Sequence, residues 1–269
     1  MIEKAAGQNK IEPRPNPLLE KETGESVVVE KTPLSAGFQA AKANVIPGLI
    51  VQGLMLAIVL GYYFYPPMTR CLEVVAGLKS RYGLLYSCIS AIIAGCLIPE
   101  LLTIAVFQRW RANAANLNTM IFAAIYWGYG GCVVDLLYRG QALLFGDAIT
   151  FPIVFKKVLV DQLIFNPLYA APFVVIAYDW KNSGYALSAF KGVFTWMYYK
   201  NRVIPVLIAT WAVWVPIVCV LYSLPQLLQV PLFSLALSLW VILISYMSRL
   251  RESHGVSYEK TDDNGGRTG

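Results

Sequence analysis

The sequence predicts an all-α polytopic transmembrane helical bundle of about six spans (four to six). Three observations carry that reading. Of 269 residues, 57% are hydrophobic and only 14% charged, whereas soluble domains are nearer a quarter charged. The mean hydropathy is +0.54. The apolar residues also fall into runs of about 20, the length that crosses the ~30 Å hydrocarbon core. Together these exclude disorder, a disulfide scaffold and an ordinary soluble enzyme.

Residues 1–44 are polar, with Pro13, Pro15 and Pro17 among alternating glutamates and lysines. The expectation is a disordered tail rather than a signal peptide or an Arg-rich presequence. Residues 45–248 are read as the bundle and 249–269 as a second polar tail. The six candidate spans are Val45–Tyr65, Tyr82–Phe107, Thr119–Leu137, Val158–Tyr178, Val203–Ser223 and Leu227–Ser248.

The net charge of +6 arises within the bundle, because acids and bases cancel in both tails. Bases in short loops beside spans set topology and do not indicate nucleic acid. Counting Arg109, Arg111, Lys181, Lys191, Lys200 and Arg202 with the tail bases gives one side the majority. Arg70, Lys79, Arg81, Arg139, Lys156 and Lys157 are read as loop residues of the other side. Both tails then lie on the positive side, the inside.

Within the 179–202 loop, Leu187, Phe190, Phe194 and Met197 recur at helical spacing. They predict a short amphipathic helix, lying in the headgroup plane or packed on the bundle. Ser87, Ala91 and Gly95 form one stripe of small residues, and Ala124, Gly128 and Cys132 another. Such stripes let helix backbones approach closely in lipid.

Polar residues within spans are the functional candidates. Asp161 is followed by Gln162 and Asn166, with Asp135 in the preceding span. A carboxylate near a span centre costs about 2.5–3.5 kcal/mol on insertion scales, so it faces protein or water. The cluster is either a structural hydrogen-bond group or the lining of a solute path. Pro167, Pro216 and Pro225 predict local kinks, since each lacks an N–H. The cysteines lack metal spacing, His254 stands alone, and there is no nucleophile–base partnership. No cofactor, metal or enzymatic activity is expected.

The chain from about residue 128 to 248 resembles the family of the twenty-two kilodalton peroxisomal membrane protein and Mpv-seventeen. Asp161-Gln162 with Pro167 (DQLIFNP) matches its Asp-Gln and proline. Trp211, Trp214 and Pro216 match its paired tryptophans and proline. Pro225, Trp240 and Ser245 keep its spacing of fifteen and twenty positions. Where that family has Gly-Pro and His-x-Trp-Tyr, this chain has Gly131-Cys132 and Asp135-Leu136-Leu137-Tyr138. The resemblance implies a channel-like protein for small solutes or metabolites, in a mitochondrial inner or peroxisomal membrane; a bacterial relative would occupy the cytoplasmic membrane. The alternative is a non-transporting membrane scaffold. The bilayer, small solutes and a second copy of the chain are the partners these readings invoke.

Overall fold

The computed structural model describes residues 32–243 as seven helices, with no strand among the described residues. They are α1 (Pro33–Ala43), α2 (Val45–Phe64), α3 (Pro66–Val106), α4 (Ala114–Phe145), α5 (Phe151–Asn182), α6 (Trp196–Tyr222) and α7 (Gln226–Leu243). The last six are long and apolar enough to span a bilayer, so the chain is a multi-pass integral membrane protein. Pro66 and Pro152 stand in the first turns of α3 and α5, where a missing N–H leaves nothing unpaired.

The expected tail is corrected over 33–43. Those residues form α1, whose Gly37 lies against Pro205 and Ile208 of α6. The rest of the N-terminal tail, residues 244–248 of the sixth span and the C-terminal tail lie outside the described residues.

Neighbouring helices pack antiparallel in sequence. Lys79, Ser87, Gly95 and Glu100 of α3 meet Asp135, Gly131, Trp127 and Asn116 of α4 in reverse order. By contrast α2 and α6 run parallel. Gln52 donates to the Val213 carbonyl at 3.0 Å and Tyr63, eleven positions on, to the Ser223 carbonyl at 2.7 Å. Parallel first and fifth spans are what alternating crossings require. Val51 and Met55 of α2, Ile217 and Leu221 of α6, and Leu228 and Leu232 of α7 form the largest core.

The helices extend past the apolar runs, which corrects the loop assignments. Arg70, Lys79, Arg81, Arg139, Lys156 and Lys157 all lie inside helices. Lysine and arginine are good helix formers, so hydropathy marks the hydrocarbon-sized part of a helix and not its ends. The connections that remain at 146–150 and 223–225 hold no basic residue, whereas 108–113 holds Arg109 and Arg111. The α3 helix is interrupted at Gly83, whose φ of 53° and ψ of −125° suit glycine. Its 84–106 arm alone is long enough to cross the core, and Met68 and Leu72 of the earlier arm pack beside α2.

The amphipathic helix expected across 187–197 does not form. A four-residue 3-10 turn covers Leu187–Phe190. The Thr195 hydroxyl then accepts from the Tyr198 amide and starts α6. Phe194, expected on the apolar face, is 98% exposed.

At three prolines inside helices the preceding turns of α-helix widen to π-helix, whereas the turn before Pro216 stays α-helical. This happens at Ile93–Leu97 before Pro99, across Asp161–Ala170 around Pro167, and at Tyr199–Val203 before Pro205. A proline ring collides with the carbonyl four residues earlier, and an extra residue in the turn relieves that collision.

The closest helix contact joins α3 and α4. A Cβ on Gly131 would overlap the Ser87 carbonyl oxygen, and one on Gly95 the Trp127 indole. The first stripe therefore meets α4 as Ser87, Ala91 and Gly95. On α4 the contact centres on Gly128 and Gly131 rather than on an Ala124, Gly128 and Cys132 row. Gly131→Ala should destabilise the protein by about 1–3 kcal/mol, since the obstacle is backbone and cannot rotate away. Gly140 of α4 has open space at its Cβ position, so Gly140→Ala should be neutral or stabilise by up to about 1 kcal/mol. Thermal unfolding of both variants in one detergent checks the difference.

Candidate functional site

The centre of the candidate site is the wide segment of α5. In a π-turn the carbonyl of residue i bonds the N–H of residue i+5, as the Asn166 carbonyl does with the Ala171 amide. The residues five after Gln162 and five after Pro167 are themselves prolines, Pro167 and Pro172. Both carbonyls thus face a ring without an N–H. Each finds a donor on α6: the Trp211 indole N–H reaches the Gln162 carbonyl at 2.8 Å, and the Tyr199 hydroxyl the Pro167 carbonyl at 3.0 Å. These bonds pin α5 to α6 in one register.

That register delivers Asp161 to the end of α6. The Tyr222 hydroxyl donates to Asp161 Oδ2 at 2.8 Å, and Gln162 Nε2 donates to Oδ1 at 2.9 Å. Asn166 Nδ2 in turn donates to Gln162 Oε1 at 3.3 Å. All three side chains are buried, Asp161 to 6% exposure. Tyr138 of α4 packs edge-on against Tyr222 at 5.1 Å and closes that end.

Asp161, Gln162 and Asn166 line a cavity of about 370 Å³ between α4, α5, α6 and α7, within the size range of small-molecule sites. Its walls on α5 run from Asp161 to Tyr178, roughly 20–25 Å of helix. Trp214 and Trp240 also line it. Higher along the same wall, the rings of Tyr169, Phe173 and Tyr126 stack in succession, each pair 5.4 Å apart.

The other sequence candidates take separate places. Asp135 is not part of this cluster. It faces α3, where Lys79 Nζ lies 2.6 Å from its Oδ2 and Ser87 Oγ 2.9 Å, while Arg139 Nε reaches Oδ1 at 3.1 Å. Lys79 also donates to the Gly83 carbonyl at 3.0 Å, so the ion pair braces the break in α3. Trp211 is a backbone partner rather than a cavity wall. Pro216 lies inside α6, and Pro225 stands just before α7 rather than within a helix. Ser245 is outside the described residues. Among the described residues no three His, Cys, Asp or Glu side chains gather as a metal site.

The sequence reading misses Tyr222, Tyr138 and Tyr199. Tyrosines near span ends read as interface anchors, and nothing in their spacing tells which of them turn inward. A usable signal did exist for Tyr199 and Trp211: prolines five apart in one span call for two outside donors.

Comparison with known proteins gives no match: no family model, no curated protein and no solved structure corresponds to the chain.

Trp211→Phe keeps the ring but removes the donor to the Gln162 carbonyl. It should lower stability by about 0.6–1.7 kcal/mol, the range for hydrogen bonds between membrane helices. Trp196, which is exposed, should tolerate the same change silently. Paired thermal melts of Trp211→Phe and Trp196→Phe provide the check.

Proposed function

We propose that the protein is a channel-like conductor of small solutes, and that the cavity ending at Asp161 is part of its path. The observation that carries this reading is an elongated, partly open cavity between four spans, most of a hydrocarbon core in length, with Asp161, Gln162 and Asn166 among its lining residues. Membership in the Mpv-seventeen and peroxisomal membrane protein family, and an organelle membrane as its location, are proposed with it on the motifs around Asp161, Trp211 and Pro225.

The scaffold alternative drew on the small-residue stripes. In the fold, Gly131 meets Ser87 and Ala91, Gly95 meets Trp127, and Gly128 meets Cys88 and Ile92, so these positions are taken up by the α3–α4 contact within the chain.

Purified protein in liposomes should conduct small ions above the background of protein-free vesicles. With a salt gradient, the Asp161 carboxylate should favour cations. Asp161→Asn keeps the acceptor for Tyr222, so folding should survive while the reversal potential moves toward zero. Conductance no greater than in protein-free vesicles would remove the channel reading. An unchanged reversal potential would remove Asp161 from the path.

A further inference from the structure

The cavity walls specify the charge of what they hold. We propose that the cavity is a binding site for a small organic cation, of the alkylammonium or quaternary ammonium class. This deepens the channel reading by naming the solute class, and it rests on that reading for its place in the membrane.

Three observations lead there. The first is an uncompensated acid. Asp161 is the one acidic residue among the cavity's lining residues, none of which is basic. Its bonding partners, Tyr222 and Gln162, are neutral donors. Two hydrogen bonds leave acceptor sites on a carboxylate, which offers about four lone-pair positions. Lys157, one turn earlier on α5, makes no ion pair with it among the described residues. The ion pairs that are present belong to Asp135 and Asp179, both elsewhere. A buried carboxylate without a counter-charge calls for a cation supplied from outside the chain, or for a proton.

The second is the wall itself. Ten of the twenty-five lining residues are aromatic, including Trp127, Trp214 and Trp240. Indole and phenol faces attract cations through the ring quadrupole, and that attraction grows when water is excluded. An anion meets the negative faces of the same rings and the Asp161 carboxylate, so both features select against it.

The third is the shortage of polar wall. Beyond Asp161, the oxygens of the mostly apolar wall are neutral, the amides of Gln162 and Asn166 and the hydroxyls of Thr210 and four tyrosines, whereas a bare metal ion demands several oxygen ligands in place of its hydration shell. An alkylammonium ion carries its own apolar shell and needs only the rings and one carboxylate. The cavity therefore suits a greasy cation better than a small inorganic one.

The choline cation and its neutral isostere 3,3-dimethylbutan-1-ol separate charge from shape. Each would be titrated into the purified full chain in lipid nanodiscs, with tryptophan fluorescence reporting on Trp127, Trp214 and Trp240. Choline should saturate, and the alcohol should bind at least about tenfold more weakly. Asp161→Asn should weaken choline by a similar factor with little change in melting temperature, and Trp214→Leu should weaken it less. Equal binding of choline and the alcohol to the wild-type protein would overturn the proposal even if the Asn variant failed to fold. So would the absence of saturable choline binding, or choline affinity untouched in a folded Asp161→Asn protein. Binding is read without any gradient, so it is independent of flux. Saturable, charge-dependent binding with no conductance would overturn the channel reading alone. Conductance without choline binding would overturn this proposal alone.

Discussion

Lipid offers no hydrogen-bond partner, so each backbone carbonyl released inside a span must find a donor within the protein. The α5 helix releases two, because prolines at 167 and 172 sit where the π-turn would place N–H groups. Trp211 and Tyr199 of α6 answer them. Almost everything at the site follows from that repair. It fixes how α5 lies on α6, which carries Asp161 to Tyr222. It also keeps the wide turn beside the space that α7 and α4 enclose. An α5 without Pro167 and Pro172 would need neither donor and would have no reason to hold this register.

The opposite half of the bundle is organised by charge and close approach instead. Lys79, Asp135 and Arg139 form an ion-pair network in which Lys79 and Asp135 are each 3% exposed as side chains. A buried ion pair is weak evidence for stability, since desolvation offsets most of the attraction, but losing one partner leaves a stranded charge. Its geometric role is clearer. Lys79 also takes the Gly83 carbonyl, so the network fixes the angle at which the first arm of α3 leaves the second. Gly131, in contact with the Ser87 backbone, then sets how close α4 can come. One half of the bundle is thus held by backbone donors and the other by a charge cluster.

Much of this was legible in the sequence, and the gaps have physical causes. Six apolar runs mark the crossings, because lipid demands length and hydropathy together. The face shared by Asp161, Gln162 and Asn166 follows from helical spacing, and so does the Ser87, Ala91 and Gly95 stripe. Lys79 reads as a loop cation in the sequence, since hydropathy records its cost in lipid but not the Asp135 that offsets it 56 positions away. Asp135 groups with Asp161 in the sequence for the same reason: two acids in neighbouring spans carry no mark of which helix each one faces. The interfacial helix is absent because Lys191 takes an extended backbone with ψ of 122° and Gly192 a φ of 78°, so the helical turn stops at Phe190 and a separate turn follows. Tyr222 was invisible because its partner lies 61 positions back.

Both the solute path and the cation site require that water enter the cavity that ends at Asp161. Thiol accessibility tests this in a background with Cys71, Cys88, Cys96, Cys132 and Cys219 replaced by alanine. Single cysteines would be placed at Thr210 and Val134 on the cavity wall and at Leu168 on the outer surface of α5, and liposomes treated on both sides with a charged methanethiosulfonate. The thiolate, which forms in water and not in hydrocarbon, attacks such reagents and displaces methanesulfinate. The cavity thiols should react while the Leu168 position stays unmodified. Unreactive thiols at both Thr210 and Val134 in folded protein would mean a dry cavity, and would contradict the path and the cation site together.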